Sequence, residues 1–310
     1  MRIYARALVY LSLAFLPLIT QAANLQVRCN GRDRSKISSA LKLLNPIGPN
    51  TLTVSGTCHE NVVIQGFDRL TLIATPGTSI NDASGGTAFV LDISDSQRVT
   101  VQSFMVNGGA EGVVCENFSL CQLSGNTVQG SSDSGVSVLH SRASLQGDII
   151  QNNAGVGLAV GQFADVTASG VTLQGNQGEA GADERGHSTL TASNTTAQNN
   201  TFGGMFAIDN STIILFGGTI TNNGGNGITV SAASLVRFTV VPAARISVVT
   251  NNFGSGVEVD DLSFARFTSG QMISGNNLSG GGFDVTCRPQ FSATRGVANI
   301  GAGTTNCIEP

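Results

Sequence analysis

The chain predicts an all-β parallel solenoid, one coil per repeat, and three observations carry that expectation. An Asn-Asn pair recurs at Asn152-Asn153, Asn199-Asn200, Asn222-Asn223, Asn251-Asn252 and Asn276-Asn277. The spacing is regular: Asn153 to Asn176, Asn176 to Asn199 and Asn199 to Asn222 are each 23 residues. A period of that size built from short β segments is the signature of stacked coils. After each pair come small residues, a Gly and then alternating apolar residues, as in Gly227-Ile228-Thr229-Val230 and Gly256-Val257-Glu258-Val259. Period-2 alternation sends Ile228, Val230, Val257 and Val259 inward and Thr229 and Glu258 outward.

Each residue type has a job in such a coil. Equivalent positions stack at the strand spacing of about 4.8 Å. Stacked Asn side chains can hydrogen-bond in a ladder, and Asn tolerates the left-handed backbone of a tight turn. Gly supplies a positive φ or lets backbones approach closely.

On these repeats the chain resembles the right-handed parallel β-helix proteins of the pectate-lyase-like superfamily. The resemblance spans residues 51–287 and implies a single-stranded right-handed parallel β-helix. It does not carry a reaction. Pectate-lyase-like enzymes use clustered acidic calcium ligands and an Arg base. Polygalacturonases share Asn-x-Asp, Asp-Asp, Gly-His-Gly and Arg-x-Lys segments. Here Gly186-His187-Ser188 precedes a lone Asp260-Asp261, and no Arg-x-Lys follows them. The Asp-Pro-His-Asp motif of alginate epimerases is absent too.

Residues 1–22 read as a signal peptide. Arg2 and Arg6 form a basic start, Leu8–Ile19 an apolar run too short to span a bilayer, and Thr20-Gln21-Ala22 a cleavage site. The expectation is a secreted or periplasmic protein with no membrane span in the mature chain. Removing Arg2 and Arg6 from 16 basic residues leaves 14 against 20 acidic ones, net −6, which argues against nucleic acid. Both tyrosines, Tyr4 and Tyr10, lie in this leader and Trp is absent, so an aromatic sugar platform could only be Phe.

Six cysteines in an exported chain read as disulfides. In a solenoid, residues distant in sequence sit coils apart, which favours pairs between neighbours: Cys29–Cys58, Cys115–Cys121 and Cys287–Cys307. The absence of a Cys-x-x-Cys pair argues against zinc.

Residues 23–50 are expected to form an N-terminal cap. Within it a helix over 33–46 carries Ser35 as N-cap and Ile37, Ala40, Leu41 and Leu44 on one face, laid over the first coil. Leu123, Leu145, Val166, Leu190 and Ile213 align as equivalent strand positions. Val236–Arg245, with Pro242, reads as an insertion bulging from the wall. Residues 288–310 read as a C-terminal cover.

One coil breaks the apolar rule. Residues 179–187 read EAGADERGH, five titratable side chains in a chain that is 12% charged. Aligned on Gly181, Asp183 and Arg185 point outward, while Glu184 falls where other coils place Val160, Ala207 or Val230. A carboxylate directed inward is costly, so the expectation is a bulged strand or a Glu184 held by Arg185 or His187. Ala159 and Gly161 of the preceding coil leave a floor. Asp183, Arg185 and His187 are the candidate catalytic residues, and Glu184, Phe206 and Asp209 the candidate binding residues. His187 suits acid–base work near neutral pH. Glu258, Asp260 and Asp261 could bind calcium, but six or more oxygens are needed and no loop motif supplies them, so no cofactor is expected. The reading is a monomer that binds or acts on an acidic or neutral polysaccharide. The alternative is a non-catalytic envelope or surface protein that uses the β-helix as a rigid platform.

Overall fold

The computed structural model describes residues 22–30, 36–239, 246–268, 270–288 and 293–308. Residues 1–21 of the expected leader, Ser35 and Pro242 lie outside them. Every strand pairing is parallel. A ten-stranded sheet holds one strand per coil, from Val62–Gln65 to Val285–Cys287, giving about ten coils. A second, larger sheet wraps the rest of each coil. A typical coil runs Val136–Leu139 in the first sheet, then Arg142–Gln146 and Ile149–Gln151 in the second. The connections between parallel neighbours are right-handed crossovers, as strand twist requires.

The inside of the coil is a set of apolar rows. One runs Leu52, Leu72, Val101, Leu123, Leu145, Ala168, Ala192 and Leu215, each paired with the next and each buried. The register corrects the expected alignment. Leu145 pairs with Ala168, whereas Val166 pairs with Ala143. A shift of two residues keeps every apolar side chain inside, so alternation alone cannot detect it.

The Asn pairs divide the labour. Asn152, Asn199, Asn222 and Asn251 adopt φ between 54° and 56° and turn the corner. Asn153, Asn176, Asn200, Asn223, Asn252 and Asn276 form the ladder, each Nδ2 donating to the next Oδ1 at 2.8–3.1 Å, and Asp284 ends it. The following glycines are needed for close approach. A Cβ on Gly204 would lie 2.5 Å from Gly227 O and 2.9 Å from Asn223 Nδ2. A second ladder, of serines, was not anticipated. At the corner after the ten-stranded sheet, Ser119, Ser141, Ser211, Ser234 and Ser263 each accept a backbone N–H from the preceding coil.

The solenoid extends past both expected boundaries. Ala23–Arg28 pairs in register with Asn50–Ser55, and Ala293–Arg295 pairs with Phe264–Arg266. The expected helix shrinks to Ile37–Leu41, with Lys36 at its N-cap. Its free N–H groups are met from another coil. Glu60 accepts from the Ile37 N–H at 2.7 Å, the Ser38 N–H at 3.1 Å and the Ser38 hydroxyl at 2.7 Å. An anion at a helix N-terminus is favoured electrostatically. The insertion also starts later than expected. Leu235–Phe238 is wall, with Val236 buried between Ile213 and Ala265, and the extra residues fall between Phe238 and Ser247.

Disulfides join Cys29 to Cys58, Cys115 to Cys121 and Cys287 to Cys307. Among the described residues no helix is long and apolar enough to cross a membrane.

Candidate functional site

The outer face of the ten-stranded sheet carries the charged coil. One outward row reads Asp92, Val114, Ser137, Ala159, Asp183, Phe206, Thr229 and Glu258 in successive coils. Asp183 stands on the strand Ala180–Glu184 between Ala159 and Phe206. Its side chain is only 11% exposed. Arg185 Nε donates to Asp183 Oδ2 at 2.8 Å, and Arg185 Nη2 pairs with Glu179. The other Asp183 oxygen has no partner among the described residues.

These contacts decide the electrostatics. Burial raises the Asp183 pKa; the hydrogen bond from Arg185 opposes that, and Glu179 and Asp209 add to it. Burial works against the Arg185 cation, but Asp183 and Glu179 outweigh it, and its pKa rises. Arg185 therefore sits among carboxylates that hold its proton, the opposite of the surroundings a proton-abstracting guanidinium needs.

Neither expectation for Glu184 holds. The strand is not bulged: Glu184 pairs in register with Val160 and Ala207. The extra residue of this coil lies earlier, between Asn176 and Gly181. Nor do Arg185 or His187 hold it, since both carboxyl oxygens are unpartnered and the side chain is fully buried. Burial raises its pKa well above the usual carboxylate range, and Asp183 adds to the effect. The coil makes room with small residues: Ala180, Ala182, Ala192 and Ala197 all face inward, fully buried. Glu184 is thus an interior acid whose surroundings favour its protonated form, and it cannot be a surface binding residue.

His187 parts company with Asp183 and Arg185. It sits at the corner with φ 63°, and its ring stacks on Phe163 with centroids 5.2 Å apart. Phe206 remains beside Asp183, its ring lying over Gly203, where a Cβ would come within 2.1 Å. Asp209 is at the next corner, where its carbonyl accepts the His187 N–H at 3.0 Å. Glu258 and Asp260, the alternative acidic group, flank Arg288 at 3.1 and 3.8 Å. Among the described residues the only His/Cys/Asp/Glu group close enough for a metal is Cys29, Cys58 and Glu60. Its two sulfurs are already bonded to each other.

Asp92 was missed by the reading of the sequence. It lies in the same outward row four coils before Asp183, and burial, with Glu116 and Asp95 nearby, pushes its pKa up to about 6. Glu111 is raised as well, chiefly by burial. The available signal was Asp92 at an outward place between the inward Leu91 and Ile93.

The family model described as "Right handed beta helix region" matches residues 87–241 and 145–297. None of the curated proteins matches the chain. Solved structures similar to it include pectate lyase Pel9A, at 10% identity and TM-score 0.58, covering 91% of this chain and 79% of that one. The A-module of Azotobacter vinelandii mannuronan C-5 epimerase AlgE6 has 15% identity and TM-score 0.65, covering 81% and 74%. The enzymatically active domain of bacteriophage CBA120 tailspike protein 2 has 12% identity and TM-score 0.55, covering 92% and 50%. At these identities the likeness is one of fold.

Proposed function

The chain belongs to the right handed beta helix region family, and on that premise we propose that it is directed at a polysaccharide laid on the outer face of its ten-stranded sheet. The observation that carries this reading is the Glu179–Arg185–Asp183 chain of ion pairs, set between the small floor of Ala159 and the ring of Phe206. A pyranose on that floor meets a carboxyl on one side and an apolar ring beyond it. Support comes also from the structural likeness to a pectate lyase and a mannuronan C-5 epimerase.

Asp183 is the candidate acid, because burial favours its protonated form. Arg185 positions Asp183 and keeps its own proton. His187 belongs to the rim of the surface. The reading includes export to the periplasm or beyond, with which three disulfides agree. A second reading, a non-catalytic platform, draws on the fact that both acids already engage Arg185, as in a structural brace.

The test is a screen of pectate, alginate and neutral glycans, reading ultraviolet absorbance for unsaturated products, reducing ends for hydrolysis and gel retardation for binding. The paired variant Asp183→Asn with Arg185→Gln keeps the shapes and removes the charges. Loss of turnover or retardation at an unchanged melting temperature supports the site. A variant that melts early yet handles every glycan as the parent does makes the cluster a brace.

A further inference from the structure

We infer that the corner after the ten-stranded sheet is a second saccharide site, a ring-lined ledge that takes uronic acid units through Phe118, Phe163 and Arg142. This rests on the reading that the ligand is a polysaccharide, but it places binding on a different surface, where nothing in the first site contributes except His187 at the margin.

The residue just before each ladder serine occupies this corner. In four successive coils it is Phe118, His140, Phe163 and His187, before Ser119, Ser141, Ala164 and Ser188. All four adopt φ between 47° and 64°. A bulky ring in that region is strained, and glycine or asparagine would relieve it. Asn210 stands at the same corner one coil later, with φ 61°. The rings are not there to fill a core, since Phe118 is 79% and Phe163 69% exposed. Ala233 and Leu262 take the same φ of 59° in later coils, so the left-handed backbone belongs to the corner, and what is particular to these four coils is a run of exposed rings, a surface open to a ligand.

The rings form two pairs. Phe118 faces His140 at 6.3 Å between centroids, and Phe163 faces His187 at 5.2 Å. No ring contact joins the pairs among the described residues. A cleft of about 470 Å³ opens there, and Phe118, His140, Phe163, Leu120 and Arg142 are among the residues that line it. Its lining is mainly apolar, and Arg142 is the one group in it that is always charged. The Arg142 guanidinium makes no ion pair or hydrogen bond among the described residues, although Asp165 is its neighbour in register. An exposed guanidinium lining the same cleft as two exposed rings suits an anionic ligand with an apolar face.

A uronic acid residue satisfies each feature. Its apolar sugar face stacks on an aromatic ring, and its carboxylate accepts the planar fork of Arg142. The repeat also fits, because the coil spacing of about 4.8 Å is close to the length of one pyranose in an extended chain. A glycan running along the axis sets one sugar on each coil.

The experiment measures binding of polygalacturonate oligosaccharides, and of the same oligosaccharides with their carboxyls reduced to alcohols, by titration calorimetry. Phe118→Ala with Phe163→Ala should weaken both at least tenfold, and Phe118→Trp with Phe163→Trp should restore binding. Arg142→Gln should weaken only the acidic form, about tenfold. All the changed side chains are exposed, so melting temperatures should stay near the parent's. If the parent binds and the double alanine variant binds within twofold of it, or merely melts earlier, the ledge is a stacking device and the inference is overturned while the polysaccharide reading stands. If loss follows only from Asp183→Asn with Arg185→Gln, all binding belongs to the first site. If the parent binds neither ligand, nor alginate, both readings fall.

Discussion

Asn223 donates to a single oxygen of Asn252 twice, from its side-chain Nδ2 at 2.9 Å and from its backbone N–H at 3.1 Å, across 29 residues of sequence. Its own Oδ1 receives the same pair of bonds from Asn200, at 2.9 and 3.1 Å. Every polar atom of this buried amide is therefore spoken for.

Asn223→Leu removes the acceptor for two Asn200 donors and the partner of Ala197 O. Unsatisfied buried groups cost about 1–3 kcal/mol each, so the variant should lose at least about 3 kcal/mol. Urea unfolding measures it, and an unmoved midpoint refutes the ladder's role.

Gly204→Ala should also destabilise. Its Cβ would meet Ile220 Cγ2 and Gly227 O at 2.5 Å, inside the wall, and overpacking costs about 1–3 kcal/mol. Gly147→Ala is the control. Its φ is 65° but nothing lies near, so only the left-handed strain of about 1–2 kcal/mol remains. In Gly204→Ala, the neighbouring Asn ladder amides should exchange hydrogen faster; in Gly147→Ala they should not.

Glu184 makes stability depend on pH. A raised carboxyl favours the folded state while protonated. Its contribution is whole below the unfolded value of about 4 and is lost as the pH rises through the folded value. Asp148, pushed up to about 6 by burial, acts the same way between about pH 4 and 6. Glu184→Leu should therefore be more stable than the parent at neutral pH and lose less stability as the pH rises. Equal pH slopes for parent and variant would show that Glu184 does not titrate with unfolding.

The bridges should differ in worth. Cys29–Cys58 closes a separation of 29 residues and Cys115–Cys121 one of 6. The chain-entropy relation gives about 3–4 kcal/mol for the first and about 2 kcal/mol for the second. Paired Cys→Ala variants unfolded in guanidinium test the order. Limited proteolysis should cut the first coil only in the variant lacking Cys29–Cys58.

Much of the fold was legible in the amino acids because a solenoid's nearest neighbour lies one period away. The 23-residue recurrence of Asn, and the alternation after each Gly, therefore encode long-range contacts in local pattern. Cysteine order was informative for the same reason, since neighbours in sequence are the residues that coils bring together. Tertiary structure alone decided four matters. It chose which Asn of each pair enters the ladder, because that depends on which backbone takes the left-handed corner. It paired Leu145 with Ala168, because inward alternation is unchanged by a shift of two. It sent His187 to Phe163 and left Arg185 with Asp183, because a corner between them redirects the chain. It buried Glu184 whole, because alanines elsewhere in the same coil, Ala192 and Ala197 on the opposite walls, leave the volume that an acid can fill once it gives up its charge.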